Sequence, residues 1–434
     1  MDKMADVLGR AGAWCGQNKY LSAIKNAFQN FMPLTIAGAI GVLWCNVLVN
    51  DQTGLGLFFK PIMALDFLNP AFQAVNFCTI SCITVGITLG IAQEIGVWNM
   101  GAERAGYIPG LVGLAAWLSV TNTSHMVEGA KEAFTGIAGN ELGATGLFTG
   151  MIIGVLSVEL FCFFEKQDAL KIKMPEQVPP GVARAFEVLV PATITLIITA
   201  CIGSACYNLT GLYLNDVIKN GIQGPLGAVG ATIPGVMIIY LVIMLFWLVG
   251  IHGNNMLSAV KEALFTPLAL ENVEKFNKGE KPTNIINMYA LQMWGEFGGS
   301  GVTIGLVIAI MIFGKREDNK AIATLSLVPG LFNINETVTF GIPMVLNPIL
   351  GIPFVFACLV TILVGYVLTV IGFCPVACLT VPWTTPPIVF GFLATGANVM
   401  GAVTQAILIV VSTVIYVPLL IAYEKYQNKQ AAEA

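Results

Sequence analysis

Glu336 stands in Leu331-Phe332-Asn333-Ile334-Asn335-Glu336-Thr337-Val338-Thr339-Phe340-Gly341-Ile342-Pro343, at the edge of a stretch from Thr337 to Tyr423 without Asp, Glu, Lys, Arg or His. A carboxylate at mid-bilayer costs about 2.5–3.5 kcal/mol on insertion scales, so one that persists faces a cavity or a partner, unless it lies near the interface and satisfies a helix end. The amides of Asn333 and Asn335 and the hydroxyls of Thr337 and Thr339 suit a neutral polyol better than an ion. His252 lies in Gly250-Ile251-His252-Gly253-Asn254-Asn255, where glycines permit close backbone approach and Trp247 lies just upstream. A lone histidine is as often structural as functional; the polar neighbours favour a binding role. Trp294, Gly295 and Glu296, followed by Gly298-Gly299-Ser300-Gly301, combine an aromatic face, a carboxylate and pliable backbone. Trp383 beside Thr384, Thr385, Pro386 and Pro387 offers a second aromatic next to hydroxyls. Sugars are held by hydroxyl hydrogen bonds and by ring faces stacked on aromatics, although each Trp is equally readable as an interfacial belt residue. His125 reads as a loop residue, and Glu159 as a snorkelling or interfacial acid.

The elements that hold these residues must be lipid-embedded. The chain has 434 residues, 21 Lys plus Arg, 25 Asp plus Glu and a formal charge of −4; 11% of residues are charged and 56% hydrophobic. Mean hydropathy is +0.79 and the isoelectric point about 5.3. Too few charges are present to cover a soluble globule, and disorder requires the opposite composition. The acidic balance argues against a nucleic-acid partner. No ionisable side chain of the Asp, Glu, Lys, Arg or His type occurs between Lys25 and Asp51 or between Asp66 and Glu94. A spanning helix needs about 20 apolar residues, whereas barrel strands are about 10 long and alternate. The uninterrupted runs therefore predict an all-α polytopic membrane protein. The ten cysteines lie mostly in apolar runs without a C-x-x-C spacing, so they read as small packing groups; no metal or organic cofactor is expected. No Walker A sequence is present, and the short tail after the last apolar run leads us to expect no fused energy-coupling domain.

Lys3 to Lys25 place the amino terminus in the cytoplasm by the positive-inside rule, in a segment that reads as an interfacial amphipathic helix. Crossings are predicted at about Phe31–Val49, Ala71–Gln93, Gly106–Val120 and Leu142–Phe164. An acidic outer segment carries Glu128, Glu132 and Glu141, and the fourth crossing ends at the basic stretch Lys166, Lys171, Lys173 and Arg184. The prolines of Met174–Pro180 mark a cytoplasmic break between two halves. Further crossings are predicted at about Val188–Asn208, Ile233–Ile251 and Val399–Ala422, with Gly211–Gly230 along a surface. Asn284–Phe313 is too long for one helix and short for two, so a glycine-broken re-entrant hairpin is expected there; Cys374–Pro387 repeats the pattern with prolines. Two broken segments in one half point to that half as the ligand-binding one.

Met174-Pro175 with Val178-Pro179-Pro180, Gly250-Ile251-His252, Trp294-Gly295-Glu296 and the Asn333–Pro343 motif together resemble the membrane (IIC) component of the bacterial phosphoenolpyruvate-dependent sugar phosphotransferase system, in its lactose/cellobiose/diacetylchitobiose branch. The resemblance runs nearly end to end. It implies a homodimer of protomers with about ten transmembrane helices and two re-entrant hairpins in the C-terminal half. Residues 1–187 would form the dimer-contact half and 188–434 the sugar-binding half. The family's binding His and Glu correspond to His252 and Glu336, with Asn254, Trp247, Trp294, Glu296, Asn333, Asn335 and Trp383 as further sugar-binding candidates. The phosphoryl donor would be a phosphocysteine on a separate IIB protein, charged through IIA. The chain itself would be the transport component in the bacterial inner membrane, with membrane lipid around it and both termini cytoplasmic. The expected substrate is a disaccharide of cellobiose or diacetylchitobiose type. The alternative is an ion-coupled secondary sugar transporter using Glu336 and His252 as a proton relay.

Overall fold

The computed structural model describes residues 10, 14, 17–51, 56, 59–125, 134–175, 177–225, 230–342, 344, 345 and 347–433. Lys3, Glu128, Glu132 and Pro343 lie outside them. The regular secondary structure of the described residues is helical apart from an antiparallel strand pair of two residues each, Ser124–His125 with Phe134–Thr135. His125 thus sits on a short strand against the Phe134 ring, centroids 5.6 Å apart, rather than in open loop. Five helices among the described residues are long and apolar enough to cross a membrane, and the broken pair Lys60–Ser81 and Ile83–Met100 is a sixth candidate.

The chain divides into two compact units. One holds residues 17–35 and 77–228. In it, α1 (Lys19–Leu43) contributes its first part, and α2 (Ile83–Met100), α3 (Ile108–Val120) and α4 (Ala144–Glu165) pack together, with α5 (Pro180–Thr210) along α3 and α4. The predicted second crossing is therefore broken: a π-turn at Phe77–Ser81 precedes α2. Ile87, Ile91 and Ile95 recur at four-residue spacing and are fully buried on one face of α2. Close approach depends on small residues, as expected where lipid provides no hydrophobic drive between helices. A Cβ on Gly113 of α3 would lie 2.3 Å from the Ala92 Cβ of α2, which cannot be accommodated. Pro109 and Pro180 occupy the first turns of α3 and α5, where a missing N–H costs nothing. Gly211 stops α5 at φ +72°. Glu165, buried at the end of α4, accepts bonds from Arg104 and Arg184, and Glu159 pairs with Lys19 at 2.6 Å instead of standing free. The surface segment after α5 has Asn215 buried within a short helix, Leu214–Ile218.

The other unit holds residues 36–76 and 229 onward. It contains α6 (Ile233–Leu248), α7 (Ser258–Asn277), α8 (Met288–Gly295), α9 (Ile304–Phe313), α10 (Glu317–Leu331), α11 (Glu336–Gly341), α12 (Gly351–Val370), α13 (Val389–Ala394) and α14 (Val399–Glu433). The final helix is longer than the predicted Val399–Ala422, because Glu424 accepts the Lys315 and Arg316 backbone N–H groups and an Asn319 amide bond, tying the last turns to the start of α10. One apolar core joins α6, α8, α9, α12 and α14, built on Tyr240, Trp294, Phe297, Phe354 and Tyr416. The Asn284–Phe313 stretch resolves into two short helices around a turn in which Gly298, Gly299, Gly301 and Val302 all have positive φ. Residues 373–388 carry no helix, and α13 follows them.

Candidate functional site

The glycine turn between α8 and α9 is held from three sides. Asn333, itself at φ +63°, a conformation asparagine tolerates better than most residues, accepts the Gly298 N–H at 2.6 Å through Oδ1. Its Nδ2 donates to the carbonyls of Trp383 and of Thr385, the latter at 3.2 Å. Asn335, 4% exposed, donates to the Ser300 carbonyl at 2.7 Å. The buried Tyr416 hydroxyl donates to the Gly301 carbonyl at 2.7 Å. Backbone groups exposed by the broken helix thus find side-chain partners, the condition for irregular chain away from water. Gly299 has φ +87°, and a Cβ there would lie 2.6 Å from the Asn335 Cβ. Gly299→Ala is therefore expected to lower stability by about 1–3 kcal/mol through backbone strain alone and to displace Asn335; thermal unfolding with sugar-binding measurements checks this, and an unchanged variant would show the turn to be unconstrained.

These segments enclose a cavity of ≈ 230 Å³ lined mainly by polar side chains, among them His252, Asn254, Glu296, Asn333, Asn335 and Trp383. Six of the nine candidates from the sequence therefore share one cavity. His252 caps a short helical turn, Gly253–Met256: its Nδ1 accepts the Asn255 N–H at 3.2 Å. The neutral ring then carries its proton on Nε2, and Nε2 faces Glu336 Oε1 at 3.9 Å. That separation is too long for a direct hydrogen bond, yet one hydroxyl oxygen could lie within reach of both groups. Glu336 begins α11, and its side chain is 48% exposed, so it stands open to a ligand rather than sealed in apolar surroundings.

Two of the three tryptophan candidates stand elsewhere. Trp247, 2% exposed, packs behind His252 without lining the cavity, ring centroids 4.4 Å apart and planes tilted by 48°. Trp294, 1% exposed, packs where Gly365 of α12 leaves room and belongs to the core. Trp383, 44% exposed, does line the cavity. Glu296 lines it too, but its carboxylate accepts from the Tyr240 hydroxyl at 2.6 Å and from Lys261. Lys261 also donates to Asn254 Oδ1 at 3.1 Å, and Asn254 donates to Ser300 Oγ at 2.8 Å. This chain of bonds neutralises Glu296 and fixes Asn254.

Sequence reasoning missed Lys261, Glu262, Gln292 and Gln405, all in the lining. Lys261 and Glu262 begin α7, which ends at the charged stretch Glu274, Lys275 and Lys278, so in sequence they look like part of a solvated face. Gln405 was detectable, being the only amide within the apolar run Ala402–Leu420, where a polar group turns to the protein interior. It accepts the Ile388 and Gly391 N–H groups at 2.7 and 2.8 Å and donates to the Met293 carbonyl at 3.2 Å, pinning α13 against α8.

A helical membrane protein with a polar cavity between broken helices fits the class of solute carriers, and its relatives show the family. Residues 25–358 match the family described as Phosphotransferase system, EIIC. The oligo-beta-mannoside-specific EIIC component of Bacillus subtilis is 33% identical over 98% of this chain and 94% of its own length. The cellobiose-specific EIIC component of Lactococcus lactis is 29% identical over 98% of each chain. The crystal structure of ChbC, the IIC component from the N,N'-diacetylchitobiose-specific phosphotransferase system, superposes with a TM-score of 0.88 at 28% identity, covering 97% of both chains. The chain belongs to the EIIC family of the phosphotransferase system.

Proposed function

We propose that this protein imports a disaccharide of cellobiose or diacetylchitobiose type through the bacterial inner membrane and presents it to phosphorylated IIB. The observation that carries the reading is the facing pair of His252 Nε2 and Glu336 Oε1, 3.9 Å apart, with His252 in the lining of the polar cavity and Glu336 outside that lining. The sugar's 6-hydroxyl lies between them, donating its proton to Glu336 and accepting from His252. The hydroxyl oxygen attacks phosphorus of the IIB phosphocysteine; the P–O bond forms as the P–S bond breaks, the electron pair leaves on sulfur, and the hydroxyl proton passes to Glu336. Positioning does most of this work, as in phosphoryl transfer generally. Trp383 supplies the aromatic face for a sugar ring, and Asn254, Asn333 and Asn335 fix the wall around it.

The same reading places about ten spans and two re-entrant hairpins in each protomer, the hairpins at Asn284–Phe313 and around Cys374–Pro387. Residues 1–187 make the homodimer contact, residues 188–434 carry the sugar, and both termini face the cytoplasm. Separate IIA and IIB proteins supply phosphate. Support comes from the local breaks at the glycine turn and at residues 373–388, both of which border the cavity.

Proteoliposomes containing the purified chain provide the test. Radiolabelled cellobiose or diacetylchitobiose is expected inside as the phosphate ester only when IIA, phosphorylated IIB and a phosphoenolpyruvate supply are present. Accumulation of unmodified sugar under an imposed proton gradient, without IIB, would instead establish the ion-coupled carrier.

A further inference from the structure

Residues 373–388 bring Trp383 to the cavity without helical hydrogen bonds of their own, so their backbone groups need partners elsewhere. Two buried side chains supply them at Ala377, whose carbonyl accepts Asn272 Nδ2 at 3.0 Å and Asn287 Nδ2 at 3.1 Å. The same two amides donate to the Asn284 carbonyl at 2.9 and 2.8 Å, so one pair of carbonyls is bridged twice. Asn272 Oδ1 accepts the Thr283 and Asn284 N–H groups at 3.2 and 3.0 Å, and these four bonds fix the orientation of its amide. Nearer Trp383, the hydroxyls of Tyr289 and Thr380, both buried residues, share a bond of 2.8 Å.

None of Asn272, Asn287 and Tyr289 lines the cavity. Their bonds nevertheless end just before Trp383 in the chain, and Asn333 holds the Trp383 and Thr385 carbonyls on its far side. An indole left 44% exposed has little packing to locate it, so its place is set by the backbone that bears it. Contacts of this kind fail when a group moves by about 1 Å. We propose that Asn272 and Tyr289 are positioning residues for sugar binding: by holding the chain at Ala377 and Thr380 they place the Trp383 ring against the sugar. Neither touches the ligand, and both act through Trp383. The inference rests on the sugar-carrier reading and adds two residues to it.

Equilibrium binding of radiolabelled cellobiose or diacetylchitobiose to the purified full chain, measured over double-mutant cycles with Trp383→Ala, tests it. Asn272→Leu removes both donors without adding a charge, and Tyr289→Phe removes a single hydroxyl. Trp383→Ala is expected to weaken binding about tenfold, and Asn272→Leu or Tyr289→Phe about threefold to tenfold. In the Trp383→Ala background either second replacement should change affinity by less than about twofold, because the residue through which it acts is gone. A merely structural role would weaken binding equally in both backgrounds, and that result overturns the proposal. Wild-type affinity in Trp383→Ala, or in both Asn272→Leu and Tyr289→Phe, overturns it as well. If Asn272→Leu does not fold, the Tyr289→Phe cycle decides alone. Failure of the wild type to bind either disaccharide would bring down the sugar-carrier reading itself, a result distinct from every outcome of the cycles.

Discussion

Replacing Glu336 by Gln is expected to slow phosphotransfer to the disaccharide by about 10²–10⁴-fold, the usual contribution of a positioned general base. The side chain is 48% exposed at the start of α11 and faces the neutral His252 ring at 3.9 Å, so an isosteric amide leaves the fold intact. Gln can still accept a hydrogen bond from a hydroxyl, but it cannot take the proton. Loss of the charge-assisted bond should also weaken sugar binding by about tenfold. Phosphoenolpyruvate-dependent formation of the sugar phosphate, followed with purified IIA and IIB, measures the first effect, and equilibrium binding the second. A Glu336→Gln protein that phosphorylates at the wild-type rate would remove Glu336 from the reaction.

Lys261→Met should produce the largest loss of stability at the site. Lys261 is 6% exposed, and its ammonium group lies between Glu296 and Asn254, 5.5 Å from the centre of the Tyr240 ring. Removing it leaves Glu296 charged and paired only with the Tyr240 hydroxyl. Breaking one partner of a buried pair costs about 3–5 kcal/mol, and the lower end applies because the Glu296 side chain keeps 18% exposure. The double replacement Lys261→Met with Glu296→Gln removes the stranded charge and should recover more than half of the loss. Apparent melting temperatures in detergent, compared for the single and double variants, distinguish a structural ion pair from two independent residues. Equal melting of wild type and Lys261→Met would rule out the pair.

Much of the architecture was legible because hydrocarbon imposes a simple rule on composition. Charge-free runs marked α4, α5 and most of α14 to within a few residues at one end or the other, whereas α12 lies inside the long run from Thr337 to Tyr423 with neither end marked by a charge. The glycines at 298, 299 and 301 and the prolines between 375 and 387 marked the places where helix stops. The limits of α2 were not legible, since the π-turn at Phe77–Ser81 interrupts a run whose hydropathy does not change. The length of α14 was not either, because Glu424 appears in sequence as a polar end and is in the structure a cap for the backbone of residues 315 and 316. At the site, His252, Glu336, Asn333 and Asn335 stood out as polar groups in apolar surroundings. Lys261 and Glu262 did not, because charged residues on a helix next to a lysine-rich turn look like a solvated face.

Residue types alone established that this chain folds in lipid and that an acid and an imidazole in its second half are candidates to meet a neutral sugar. Both inferences follow from the energy of placing a polar group in hydrocarbon, which depends on the residue and scarcely on its neighbours. Which tryptophan faces the cavity, which carboxylate is neutralised and which is left unpaired were decided by packing. Trp294 fills the space Gly365 leaves and Trp383 does not; Glu296 meets Lys261 from another helix and Glu262 does not. Such outcomes depend on contacts between residues many turns apart in the chain, whose distances only the folded structure sets.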